Sequence, residues 1–191
     1  MSGIEQNAVD PATYHLSKTV VMVGMMGAGK TAIGRALAQR LGVAFLDSDA
    51  KIETAANMSV PEIFTRDGEA FFRDKETKVI RRLLGEERCI LSTGGGAFLA
   101  QENREMISRH GVSVWLKADI TVLWNRVKHK DTRPLLRTGD PRATLEALHE
   151  ARVPLYAHAD LMVVSDGVAS IDQMVDRVVA ALLARPDVLR G

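Results

Sequence analysis

The feature that most constrains this chain is Gly24-Met25-Met26-Gly27-Ala28-Gly29-Lys30-Thr31, which fits the spacing G-x-x-x-x-G-K-[ST]. It follows a short β-branched apolar run, Thr19-Val20-Val21-Met22-Val23, and precedes a stretch that places Ile33, Leu37 and Leu41 on one helical face. Strand, glycine-rich turn and helix in that order make a phosphate-binding loop. Glycines let backbone N–H groups curl around anionic oxygens, and the helix N-terminus adds its positive end. In such a loop Lys30 reaches the β- and γ-phosphates and the Thr31 hydroxyl binds Mg²⁺. The loop implies a nucleoside triphosphate and says nothing yet of an acceptor.

The rest of the chain repeats the same alternation. Strands are expected over residues 19–23, 43–46, 89–92, 112–116 and 161–164. Helices are expected over 30–41, 50–56, a turn opened by Pro61, 69–84, 102–109, 119–127, 141–157 and 170–184. This is the pattern of an α/β fold in three layers, a parallel sheet covered on both faces by helices. Ligands of such sheets bind beyond the carboxyl ends of the strands, so functional residues should lie just after each strand.

Composition narrows the function classes. With 191 residues, 46% of them apolar, the chain suits one domain that buries about 70% of its unfolded surface. Its 25 Lys+Arg and 24 Asp+Glu give a net charge of +1, which removes the electrostatic case for a nucleic-acid or anionic-membrane binder. Cys89 stands alone, so an internal disulfide is impossible, neither a cysteine-based zinc site nor an oxidising compartment is suggested, and a cytoplasmic location is expected. The longest apolar runs, near residues 19–26 and 178–184, fall short of the roughly 20 a spanning helix needs. Residues 1–18 lack the pattern of a signal peptide and read as a poorly ordered extension; 185–191 read as a tail. The histidines show no metal-ligand spacing, and Trp115, Trp124 and the methionines read as packing residues.

Four further motifs have both an ordinary and a chemical reading. Asp47-Ser48-Asp49 follows the second strand, and residues two apart in extended chain share a side. One carboxylate could then help hold the metal through water while the other meets an acceptor hydroxyl; alternatively Asp49 caps the next helix. Thr93-Gly94-Gly95-Gly96 ends the third strand without the acidic residue many phosphate-loop enzymes carry there, which shifts weight onto Asp47. The glycines suit either a tight turn or close approach of backbone to a ligand. Arg73 and Arg152 could be surface residues, Arg73 pairing with Glu76 or Glu69; together in one cleft they would grip a carboxylate. Residues 128–140, basic and bearing Pro134 and Gly139, read as a solvated loop or as a lid that excludes water and brings Arg133 to the transferring phosphate.

Taken in order, the phosphate loop, Phe45-Leu46-Asp47-Ser48-Asp49 with Ile52-Glu53, Ile63-Phe64 with Gly68-Glu69 and Phe72-Arg73 with Glu76, Gly94-Gly95-Gly96, Arg133-Pro134-Leu135-Leu136 and Arg152-Val153-Pro154-Leu155-Tyr156 resemble the shikimate kinase family over about residues 17–184. The resemblance implies a five-stranded parallel sheet of order 2-3-1-4-5. It implies transfer of the γ-phosphate of ATP to the 3-hydroxyl of shikimate, on the route to chorismate and the aromatic amino acids, with Mg²⁺ as cofactor. It assigns Gly27, Ala28, Gly29, Lys30, Thr31 and Ala32 to ATP, with Thr31 and Asp47 on the metal. Asp49 becomes the base candidate on the shikimate hydroxyls, Arg73 and Arg152 the grip on its carboxylate, and Gly94 and Gly95 ring contacts. Arg133 becomes the lid arginine and Arg126 a candidate for packing on adenine. The expected organisation is one domain over 19–184, with acceptor-binding helices near 49–84 and a lid near 128–140, acting as a monomer. A gluconate-type kinase and a non-catalytic nucleotide-binding module are the alternatives.

Overall fold

The structure is a computed structural model and describes residues 14–130 and 136–191. Its centre is the strand β2 (Thr19–Val23), whose residues are all buried because helices cover both faces of the sheet. A short strand β1 (His15–Leu16) precedes it. The chain then runs through α1 (Lys30–Leu41), β3 (Ala44–Asp47), α2 (Ser48–Ala56), α3 (Val60–Asp67), α4 (Glu69–Gly85) and β4 (Cys89–Ser92). A 3₁₀ turn (Ala97–Leu99) leads to α5 (Gln101–His110), β5 (Gly111–Ala118), α6 (Ile120–Val127), α7 (Pro141–Tyr156), β6 (Leu161–Ser165), α8 (Ile171–Leu183) and β7 (Leu189–Arg190).

Five strands form one parallel sheet in the order β3-β4-β2-β5-β6. Counted among those strands alone, this is the expected order 2-3-1-4-5. The strand order reverses at β2, which places the phosphate loop at the switch point. Parallel pairing aligns Met22 with Ser92 and Asp47 with Ser92, so the loop after β2, the Asp47 end of β3 and the glycine triplet after β4 emerge on one edge. Local signals set the helix starts. Ser59 and Glu62 form a capping box at α3, with Pro61 in its first turn, and Ser170 and Gln173 form another at α8.

The main core lies between the sheet and its helices. A second, small core of Ile52, Ile63 and Phe72 joins α2, α3 and α4, so that group of helices packs upon itself beside the sheet edge.

Two expectations change. Asp49 is not extended chain, because α2 begins at Ser48; Asp47 is the helix cap, its carboxylate accepting from the Ala50 N–H at 3.1 Å. The extension and the tail also meet each other. His15 and Leu16 pair antiparallel with Arg190 and Leu189, and the Ser17 N–H donates to the Val188 carbonyl at 2.8 Å. Residues 14–18 therefore belong to the fold, because buried Val188 and Leu189 give them an apolar floor.

Candidate active site

A cleft of about 1170 Å³ runs along the carboxyl edge of the sheet. Its nucleotide half is built on the loop after β2. Lys30 Nζ donates to the carbonyls of Gly24 at 2.7 Å and Met25 at 2.9 Å, which places the ammonium at the centre of the loop. Gly29 caps α1 without a side chain, so the opening turn of the helix, Lys30, Thr31 and Ala32, presents its positive end to the cleft, which suits an anion. Gly27, Gly29, Lys30, Thr31 and Ala32 line the cleft, whereas Ala28 is buried, its N–H turned to the Met25 carbonyl at 3.1 Å. Arg126 lines the same half and donates to the Gly27 carbonyl and to Ser165 Oγ.

The acceptor half is organised by the glycine triplet. None of Gly94, Gly95 and Gly96 has a positive φ, so space and not backbone conformation requires them. A Cβ at Gly94 would lie 2.8 Å from a carboxylate oxygen of Asp49, and one at Gly95 would lie 2.9 Å from Arg152 Nη1. One at Gly96 would overlap the guanidinium of Arg73. A single turn is thus backed by three side chains from α2, α7 and α4.

These groups are fixed by their neighbours. Arg73 donates to buried Glu76 at 2.9 Å and to Glu69 at 3.4 Å, the pairings that the sequence offers as its ordinary reading, yet its guanidinium still faces the cleft. Arg152 is only 6% exposed, and one turn further along α7 the Tyr156 hydroxyl donates to the Gly95 carbonyl at 2.5 Å. Burial pushes the Tyr156 phenol above its ordinary range, with Arg152 pulling it back. Burial, and then the charge of Asp47, lift the Asp49 carboxyl to about 6, against the opposing pull of Lys30. Burial likewise lifts Glu76 to about 7, opposed by Arg73. Asp49 Oδ1 and Glu76 Oε2 are buried with no hydrogen-bond partner among the described residues. The Phe64 and Phe72 rings, 5.0 Å apart, supply an apolar wall beside them.

The cleft thus brings together Lys30, Thr31, Asp47, Asp49, Arg73, Gly94, Gly95, Arg126 and Arg152. Arg133 lies outside the described residues, as do the other residues of 131–135 in the expected lid; Lys130 and Arg137 on either side of them line the cleft. Sequence reasoning missed Glu76 and Tyr156 as site residues, although each shares a helix face with the arginine three or four residues before it. It also missed Ser165, for which no motif gave a signal.

A phosphate loop at the switch point, opening into a pocket that gathers the Asp49 carboxyl with the guanidiniums of Arg73 and Arg152, defines a small-molecule kinase of the phosphate-loop type. The family model for shikimate kinase matches residues 26–183, and the chain belongs to the shikimate kinase family. It is 75% identical to the shikimate kinase of Ruegeria pomeroyi, over 99% of this chain and 98% of that protein. Its fold matches the structure of Acinetobacter baumannii shikimate kinase in complex with shikimate, with TM-score 0.82 and 34% identity over 87% of this chain and 93% of that one. A gluconokinase from Sinorhizobium meliloti matches with TM-score 0.59 at 19% identity, over 91% of this chain and 95% of that one, a likeness of fold alone.

Proposed function

We infer that this protein transfers the γ-phosphate of ATP to the 3-hydroxyl of shikimate, giving 3-phosphoshikimate and ADP, within aromatic amino-acid biosynthesis. The observation that carries the reading is the convergence of Asp49, Arg152 and Arg73 behind Gly94, Gly95 and Gly96, in a space continuous with the phosphate loop. Shikimate carries a carboxylate on one side of its ring and hydroxyls on the other. Arg73 and Arg152 hold the carboxylate, since a planar guanidinium matches it with paired hydrogen bonds. Asp49 meets the hydroxyls, orients the attacking oxygen and accepts its proton as the new P–O bond forms. Gly94 and Gly95 let the ring approach the backbone. Phosphoryl transfer depends mainly on such positioning and on charge neutralisation.

Lys30 and the N–H groups opening α1 hold the β- and γ-phosphates. The donor set fits Mg²⁺ carried with ATP: Thr31 and Asp47 line the cleft, and the described residues contain no group of three or more His, Cys, Asp or Glu that could hold a metal alone. Mg²⁺ keeps several waters and is bound largely through substrate phosphates, so the Thr31 hydroxyl and, through water, Asp47 suffice. When bound, the ion neutralises charge on the β- and γ-oxygens. The lid role of Arg133 rests on the sequence. Action as a monomer rests on the sequence reading, and the single, buried Cys89 fits a reducing cytoplasm.

The test is the product. Phosphorus–proton coupling in the NMR spectrum of the purified ester should place phosphate on the 3-oxygen. Phosphate on another oxygen would overturn the orientation given to Arg73, Arg152 and Asp49.

A further inference from the structure

The outer end of α6 lies flat against the phosphate loop. Gly27 has φ +83°, and a Cβ there would fall 2.8 Å from Val127 Cγ1 and 3.3 Å from the Leu123 carbonyl oxygen. From the same turn Arg126 reaches in two directions. Nη1 donates to the Gly27 carbonyl at 3.0 Å, and Nη2 donates to Ser165 Oγ at 3.1 Å. Ser165 is the last residue of β6, is 2% exposed, and stands in register with Ala118 of β5. The guanidinium therefore ties the loop to the rigid end of the sheet. The other face of the same peptide is held as well, since the Ala28 N–H donates to the Met25 carbonyl at 3.1 Å.

We propose that Arg126 and Ser165 form a positioning relay for the phosphate loop. This deepens the nucleotide reading of the cleft and rests on it. A peptide held at both its C=O and its N–H cannot rotate. The Gly27 carbonyl, the negative end of that peptide, is kept against the guanidinium and turned from the phosphates. The N–H groups that follow Gly29 keep the orientation an anion requires. Arginine is needed because one planar fork must serve two acceptors at fixed angles, which an ammonium cannot do. Arg126 acts here on the triphosphate through the loop, whatever contact its ring-like face makes with the base.

Inhibition of the kinase reaction by inorganic tripolyphosphate and by adenosine separates the two actions. Arg126→Gln should weaken tripolyphosphate about tenfold and raise the KM for ATP by a similar factor, the scale of a lost charge-assisted hydrogen bond. Arg126→Lys should recover little of this, and Ser165→Ala should shift both values in the same direction by about threefold. Adenosine inhibition should change less than about twofold in Ser165→Ala, a split that general loosening of the fold would not produce. Unchanged tripolyphosphate inhibition in Arg126→Gln and Ser165→Ala would overturn the relay. Should Arg126→Gln fail to fold, Ser165→Ala and Arg126→Lys decide the matter by the same readout. Unmodified protein that tripolyphosphate does not inhibit would instead sink the nucleotide reading itself.

Discussion

Asp49 is placed among opposing demands. Burial and the Asp47 charge hold its carboxyl at about 6, yet orienting a hydroxyl and taking its proton require the ionised form. Activity with the acceptor, as kcat/KM, should therefore rise with pH through about 6, and Asp49→Asn should lower turnover about 100-fold while changing ATP affinity less than about twofold. Equal turnover in the two proteins would remove Asp49 from the mechanism. The stability linkage has the opposite sign. A carboxyl whose folded value is raised binds its proton more tightly when folded, so stability falls as pH rises from about 4 to about 6 and is level beyond. Asp49→Asn should accordingly melt higher than the unmodified protein at pH 8, with the advantage shrinking below pH 6. Arg73→Lys tests the carboxylate grip: the acceptor KM should rise about tenfold with the ATP KM nearly unchanged, because paired bonds are lost while a charge remains. Weakened ATP binding with intact acceptor binding would sink that assignment. Arg73 also shows what sequence could give. Its pairing with Glu76 follows from their spacing, but the depth of Glu76, 1% exposed, depends on α4 packing against the triplet, which spacing does not encode.

At the scale of elements, strand and helix types followed from periodicity, and their ends from caps. The strand over 89–92 and the helix over 30–41 stand as the sequence predicts. Differences arise where pairing or capping is not local. β5 reaches from Gly111 to Ala118 because β2 pairs with its start and β6 with its end. Asp47 both ends β3 and caps α2, because the strand runs one residue past the expected 46 and the helix begins directly after it, at Ser48. The triplet after β4 illustrates the same limit: glycine content signals a special turn, while the reason for each glycine is a side chain from a different helix. Gly96→Ala should force Arg73 aside and raise the acceptor KM at least about tenfold, with a backbone that is otherwise free to accept alanine. A variant with unaltered acceptor KM would mean that Arg73 does not take its working position behind this turn.

Over the whole molecule, one sheet edge collects residues separated by more than a hundred positions in sequence, from Lys30 to Arg152, and the order of strands explains how. That order was legible only through the family resemblance, since alternation gives a parallel sheet without its permutation. The clasp between β1 and β7 was not legible at all, as two-residue strands carry no periodicity. Leu189, 1% exposed, is its buried member, so Leu189→Ala should cost about 3 kcal/mol and lower Tm by about 8 °C, with kcat retained. An unchanged Tm would show that the clasp adds nothing to stability. The central claim concerns the acceptor, and the most direct measurement is ADP release by the purified protein with Mg-ATP, alone, with shikimate and with gluconate. Strong stimulation by shikimate and none by gluconate is the expected result. ATP binding without stimulation by shikimate, or equal stimulation by gluconate, would contradict it.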